Sequence, residues 1–290
     1  FLPFMEISDG VFFPEGGMHK VAESMLSAAE AHGAELVLKS PVAKIEVNGK
    51  QAKGVTLEDG TFHPADIIVA NADLPYVYKH LLPGNSKAKR LNRMKYSCSA
   101  LVFHWGVDKV YPQLLQHNVF VSANNSESCK IIFKENSFAE EPSVYVHSPV
   151  RSDKTAAPIN QDSITAIVHT GNLEDGKDYP WEEIKEKARN GILKRLEAEG
   201  LHDFEKHIKF EICYTPASWK SSFNLTRGGT FGSLAHNLMQ MGFLRPDNYH
   251  KRYRNLYFVG GSTQPGSGMP LSLLSAKLVL ERINRMNKKT

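Results

Sequence analysis

Four glycines near the end of the chain, Gly260, Gly261, Gly266 and Gly268, lie between two apolar runs of different period. Leu256–Val259 before them reads as a short buried strand. Met269 and Pro270 after them open a helix that carries Leu271, Leu273, Leu274, Ala276, Leu278 and Leu280. Proline is tolerated in a first helical turn, where its missing N–H costs nothing. Glycine lets the backbone turn tightly and approach another molecule closely. A strand, a glycine-rich turn and a helix N-terminus together form a site for an electron-rich or anionic group, held by free N–H groups and the positive end of the helix dipole.

One ligand with that chemistry is a flavin ring, whose pyrimidine edge gains negative charge on reduction. Local spacing alone leaves this reading level with a purely structural strand, turn and helix. Other chemistries lack their residues. The twelve histidines never fall at H-x-x-x-H spacing with a supporting carboxylate, so no metal site is expected. There is no G-x-S-x-G elbow, no Cys–His pairing, no Walker loop and no G-x-G-x-x-G fingerprint. Gly266-Ser267-Gly268 runs into Met-Pro and lacks the third glycine.

The elements that must position this turn begin upstream. Gly16-Gly17 enters a helix over 18–31, with Val21, Met25, Ala28 and Ala29 at helical spacing and Gly33 placed as a C-cap. Strands are expected at 35–39, 42–47, 52–57 and 61–63, with turns at Asn48-Gly49-Lys50 and Glu58-Asp59-Gly60. A buried strand follows at 67–70 and ends at Asn71-Ala72-Asp73. Such a layout fits a small antiparallel sheet appended between parts of a parallel sheet. Residues 75–83 read as a short helix, and 96–107, 143–147, 163–169 and 210–214 as strands. Between them, 122–128 and 151–162 read as loops. Residues 181–199 make an amphipathic helix with Ile184, Ala188, Ile192 and Leu196 on one face. A second glycine cluster sits in 215–232, and 235–246 is rich in Met and Leu.

With 290 residues, 41% hydrophobic and 23% charged, the composition is that of an ordinary globular protein with one large or two smaller domains. The charge of +4 is scattered, with no basic stripe interleaved with aromatics, which argues against nucleic acid as a partner. Cys98, Cys129 and Cys213 are odd in number and far apart, as expected in a reducing compartment. No apolar run reaches the roughly 18 residues of a membrane-spanning helix. The opening FLPFMEISDG has neither an initiating Met nor the shape of a signal peptide, a pattern expected of a piece cut from a longer protein.

Four phrases carry a resemblance: FFPEGGMHKVAESM (12–25), DGTFHPADIIVANADLP (59–75), TPASWKSSFNLTRGGTFGSLAHNLMQMGFLRP (215–246) and NLYFVGGSTQPGSGMPLSLLSAK (255–277). In order and spacing the chain resembles the carotenoid desaturases of the bacterial and fungal phytoene desaturase type, within the FAD-dependent amine oxidase-like superfamily. The last two phrases are the specific ones; 108–178 matches only loosely. The resemblance implies an α/β fold: a Rossmann-like FAD-binding domain of the amine oxidase/glutathione reductase type, lacking its N-terminal dinucleotide-binding strand, plus a mixed-sheet α+β substrate domain. It divides the chain into residues 1–73 of the FAD domain with appended antiparallel strands, 74–249 as the substrate domain, and 250–290 back in the FAD domain.

By the same resemblance, Val42 lies by the adenosine of FAD, and Asn71 and Ala72 end a strand near the cofactor. Gly260 and Gly261 meet the ribityl-phosphate region, and Gly268, Met269 and Pro270 meet the pyrimidine edge. Phe223, Phe231 and His236 are candidates for a substrate tunnel, with core packing as the alternative reading. No catalytic base is assigned. The implied activity is flavin-dependent dehydrogenation of a long polyene such as phytoene, with a hydroxycarotenoid desaturase, carotenoid isomerase or retinol saturase as relatives of the same kind. A non-catalytic fragment that binds lipid or a partner chain is the alternative of another class. An apolar substrate implies peripheral membrane contact from the cytoplasmic side; a homo-oligomer is left open. Two departures stand out: Gln264 replaces the usual His, and the chain is far shorter than the family's members.

Overall fold

The computed structural model describes residues 7–8, 10, 12–82, 84 and 86–287. Helix α1 (His19–Glu30) forms where its period places it, and Gly33 follows at φ 84°. None of its residues is buried. The strand expected at 35–39 does not form. Its apolar residues Leu36, Val37 and Leu38 are exposed, and a lone strand without a pairing neighbour gains nothing from an extended backbone.

Strands β1 (Val42–Asn48), β2 (Gln51–Leu57) and β3 (Phe62–Pro64) make an antiparallel meander. Beside it, β4 (Ile68–Ala70) pairs in parallel with β10 (Leu256–Phe258), Ile68 opposite Leu256 and Ala70 opposite Phe258. The two sheets are joined by Asn255. Its amide nitrogen donates to the carbonyls of Ala52 (2.8 Å) and Asp66 (2.7 Å), and its oxygen accepts from Ala52 N–H (2.8 Å). The chain therefore leaves β4 for a long excursion and returns beside it.

The excursion starts with α2 (Leu74–Tyr76), which widens into a π-helical stretch, Val77–Leu81, and continues through α3 (Ser86–Asn92). The expected end of this helix at Pro83 lies outside the described residues. Leu74, Val77, Tyr78, Leu81, Leu82, Leu91, Tyr96 and Leu234 pack with Ile45, Ile68, Leu256 and Phe258 into one core.

A second sheet has strand order β6-β7-β8-β5-β9: β5 (Ser99–Val107), β6 (His117–Phe120), β7 (Val144–His147), β8 (Asp162–Thr170) and β9 (Ile208–Tyr214). Every pairing is antiparallel, which corrects the expected mixed sheet. The reason is topological: β8 and β9 run the same way across a helical crossover, but β5 lies between them, so they never pair. The crossover is α5 (Trp181–Ala198), which buries Ala188, Ile192 and Leu196. That stripe meets Leu101, Phe103, Trp105, Ile164, Ala166, Val168 and Phe204 in a closed apolar core.

Residues 125–133, read partly as loop, form α4 (Asn125–Phe133). The burial of Ser128 and Ile132 outweighs the weak helix propensity of Asn and Ser. Helix α6 (Pro216–Phe223) carries a capping box between Thr215 and Ser218, a signal present in T-P-A-S. The last helix, α7 (Met269–Asn287), is held mainly by Ser275 and Val279; Leu273, Leu274, Leu278 and Leu280 remain exposed. Among the described residues, no helix is long and apolar enough to cross a membrane.

Candidate functional site

The glycine turn after β10 is built from inside. Asn248, which is buried, directs its side-chain nitrogen to the carbonyl of Gln264 (2.8 Å), Ser275 Oγ (2.9 Å) and Thr263 Oγ1 (3.2 Å). Ser275, fully buried in α7, accepts from Gly260 N–H at 3.2 Å, and Thr263 Oγ1 donates to the Gly260 carbonyl at 3.0 Å. The turn is thus pinned to the helix that follows it. Gly260 has φ 103°, and a Cβ there would fall 2.9 Å from Asn71 Oδ1, so the end of β4 and the turn approach through a missing side chain.

A second glycine turn, 226–236, meets the first. Gly232 (φ 90°) sits against Ser267, which a Cβ would strike. Ser267 Oγ donates to the Phe231 carbonyl (2.9 Å), and His236 Nε2 lies 3.3 Å from Ser267 N and 3.0 Å from its Oγ. An imidazole nitrogen that accepts a backbone N–H is unprotonated. Consistent with this, desolvation first and the Arg245 charge second hold the His236 pKa below its ordinary value.

Arg245 locks the two turns together. It is 2% exposed, and its guanidinium donates to the carbonyls of Gly261 (2.6 Å), Gln240 (3.0 Å), Leu234 (3.1 Å) and Gly232 (3.2 Å). Burial pushes its pKa down to about 10, against the attraction of Asp73, so it remains a cation. Asp73 itself is buried, accepts from Thr226 N–H at 3.1 Å, and has its pKa raised by desolvation. Beside it, Ser262 Oγ accepts from Leu74 N–H at 2.8 Å. Gln264 donates to the carbonyls of Phe243 (3.1 Å) and Arg245 (3.2 Å), so its side chain supports the turn.

The structure therefore brings Asn71, Gly260, Gly261, Phe231 and His236 to one place, with Ala72 following Asn71 at the end of β4. Gly268, Met269 and Pro270 are exposed at the opening of α7, and nothing lies within 4 Å of where a Gly268 Cβ would point. Val42 is half-buried at the start of β1 and packs on the core of that unit. Phe223 stands elsewhere, its ring tilted against Trp219 (5.4 Å) and Tyr214 (6.1 Å). The Phe231 ring lies on His169 at 5.1 Å. Sequence reasoning passed over Arg245, Asn248, Ser275 and Asp73. The signals were faint: a lone Arg in MGFLRP and one of two Ser in the otherwise apolar opening of a helix. No group of three or more His, Cys, Asp or Glu side chains able to hold a metal occurs among the described residues. The arrangement offers a small open space at a helix N-terminus, fixed backbone donors and a neutral imidazole. Those features suit the edge of a planar ring that gains negative charge.

Comparison with known proteins gives a consistent picture. The family model described as flavin containing amine oxidoreductase matches residues 1–284. The phytoene desaturase of Fusarium fujikuroi is 37% identical over 305 aligned residues, covering 97% of this chain and 53% of the relative. The zeta-carotene-forming phytoene desaturase of Myxococcus xanthus is 37% identical, over 97% of this chain and 54% of its own. Among solved structures, an oxidoreductase from Methanosarcina mazei aligns with a TM-score of 0.62 at 16% identity, over 92% of this chain and 55% of that one. The chain spans about half the length of the curated relatives it matches.

Proposed function

The chain belongs to the flavin-containing amine oxidoreductase family, and from that premise we propose that it forms a large part of an FAD-dependent carotenoid desaturase acting on a long polyene such as phytoene. The supporting observation is the convergence of three of the family-like phrases, from β4, 226–245 and 260–268, on one cradle held by Arg245. In this reading residues 1–73 and 250–290 serve the cofactor and 74–249 the substrate. The stretch 74–96 is anchored in the cofactor-side core.

The residues present fit a flavin. Gly268, with open space where a Cβ would point, Met269 and Pro270 take the pyrimidine edge; Gly260 and Gly261 take the ribityl-phosphate region. Asn71 and Ala72 border the cofactor from β4, and Val42 takes the adenosine. When bound, the flavin supplies hydride acceptance. The chain's own part is to position and to keep water out. Arg245 and Asn248 fix the donor geometry, and His236 holds Ser267 while staying uncharged. In this reading Phe231 and His236 border the space left for the polyene, and Phe223, beside Trp219 and Tyr214, stands apart from them.

Membrane contact follows from the solubility of such a substrate and is peripheral in this reading. A flavin titration tests the cradle. Added FAD should stay with the chain through gel filtration with its fluorescence quenched, and Gly268→Leu should weaken this binding about tenfold or more by filling the open space. Incubation with phytoene in vesicles should then lengthen the conjugation and shift its absorbance. A chain that stays colourless with FAD and converts neither phytoene nor a hydroxylated carotenoid would overturn the reading in favour of a non-catalytic binding role.

A further inference from the structure

A cavity of about 730 Å³ opens between β1, α3 and residues 243–253, with Arg245 on its wall. Five exposed or half-buried basic side chains, Lys44, Lys87, Arg90, Lys251 and Arg252, line it, against a single lining carboxylate, Asp247. Asp247 is 3.8 Å from Lys251. Arg90 and Arg252 have no carboxylate in ion-pair range among the described residues; Arg252 instead lies over the Tyr253 ring. The remaining wall mixes apolar side chains, Leu82, Leu91 and Met94, with polar ones that include Ser86, His250 and the buried Arg245. Such a cavity is cationic in one part and apolar in another.

Lys44 pairs with Glu46 at 2.9 Å and Lys251 with Asp247 at 3.8 Å, which leaves Arg90 and Arg252 without a carboxylate among the described residues. Burial lowers the Lys87 pKa, and Lys251 and Arg90 add to that against Asp247. His250, on the same wall, is held down to about 4 by burial, Lys87 and Arg252. Its Nδ1 accepts the N–H groups of Arg252 and Tyr253, both at 3.1 Å. An anion placed among these groups would relieve their mutual repulsion.

At the rim the chain projects several strongly exposed apolar side chains. Phe243 is 98% exposed, Leu238 87% and Met239 76%, on two short 3-10 turns, Leu238–Gln240 and Gly242–Leu244. Phe243 and Leu244 also line the cavity. Basic side chains behind protruding aromatic and aliphatic ones are the pattern of a surface that enters the interface of an anionic bilayer.

We propose that this cavity takes the phosphate headgroup of an anionic phospholipid while Phe243 and its neighbours enter the acyl layer. A soluble phosphate would satisfy the cations and leave the apolar wall and rim in water, so the lipid is the better fit. The surface is also rigidly tied to the candidate site, since Gln264 donates to the carbonyls of both Phe243 and Arg245. Any role in delivering a polyene rests on the desaturase reading; binding of lipid does not.

Co-sedimentation of the full chain with phosphatidylcholine vesicles, with and without phosphatidylglycerol, tests the proposal. Binding should be several-fold stronger with phosphatidylglycerol and fall as salt rises. The double variant Arg90→Gln/Arg252→Gln should weaken it roughly tenfold or more, since each basic group near the surface contributes about 1 kcal/mol. Lys187→Gln/Lys194→Gln, which removes the same charge from the far helix α5, should change it less than about twofold. Phe243→Ser should weaken binding while leaving the circular dichroism unchanged. Equal losses in the two double variants would reduce the effect to net charge and overturn the proposal. So would absence of vesicle binding, whether or not inorganic phosphate protects Lys87 from acylation; protection would identify a soluble-anion site. None of these variants touches a residue assigned to the flavin, so flavin binding is read separately.

Discussion

The two units of this chain are held together by different physics. The five-stranded sheet closes on α5 through an almost wholly apolar core, with Leu101, Phe103, Ala166, Val168 and Leu196 all fully buried. The unit around β4 and β10 has only a two-stranded parallel sheet and leaves Val69, Leu274, Leu278 and Leu280 in solvent. Parallel strands are ordinarily covered on both faces. Besides its own apolar core, this unit carries a set of polar cross-links, the buried Arg245, Asn248, Ser275 and Asp73 and the half-buried Asn255, tying loops to one another. Burial of apolar surface is non-directional, whereas a buried polar link is costly unless every partner is in place. The first arrangement makes a stable scaffold; the second holds donors and turns in fixed positions, as a binding site requires.

The largest test of that contrast is Arg245→Met. It removes the donor of four backbone carbonyls within 3.2 Å and leaves Asp73 without its opposing charge. The expected loss is roughly 3–5 kcal/mol, read from the denaturant midpoint. Hydrogen exchange should quicken in 228–236 and 260–264 and leave β5 and β8 protected. Equal loosening of β5 would mean that the two units do not fail separately.

The converse substitution, Ile192→Ala, opens the apolar core of α5 and should cost roughly 2–4 kcal/mol. Here the expected exchange pattern reverses, with β5 and β8 loosened and the glycine turns unchanged.

Acid should find the polar unit first. His250 titrates at about 4 in the folded chain, below the ordinary value near 6.5, because it is buried beside Lys87 and Arg252. Between those two values the unfolded chain binds a proton that the folded chain does not. Its contribution is therefore fully present above pH about 6.5 and is lost as pH falls through about 4, at most on the order of 3 kcal/mol. Asp73 works the other way: its pKa is raised on folding, so its cost grows as pH rises above the ordinary carboxylate range near 4. Stability against pH for the wild type and His250→Gln should show a shallower acid slope in the variant, whose amide oxygen can still accept the two N–H groups. A slope unchanged by the substitution would remove His250 from the account.

The same contrast explains what could be read in advance. Elements built on apolar period, α5, β5, β8 and the meander, were legible because burial imposes a repeat on the sequence. The glycine turn after β10 was legible too, since positive φ and close approach demand glycine. The strand expected at 35–39 failed because a period shows what a segment prefers and not whether a neighbour exists to pair with it. Phe223 was grouped with Phe231 and His236 through the resemblance, and its ring lies against Trp219, a contact with no signal in the sequence. Arg245 and Asn248 have no local pattern at all. Each acts on carbonyls brought near by tertiary folding, which one sequence does not reveal.

The smallest expected effect is the sharpest on the open side of the unit. Val279 and Leu278 are neighbours on α7, one 2% exposed and the other 38%. Val279→Lys buries an unpaired charge and should destabilise by several kcal/mol. Leu278→Lys places its charge toward solvent and should change stability by less than about 0.5 kcal/mol. If Leu278→Lys costs as much as Val279→Lys, this side of α7 is covered in solution. If the two differ as expected, the leucines of α7 are a free apolar face, and that helix is held from the side of Ser275 and Val279.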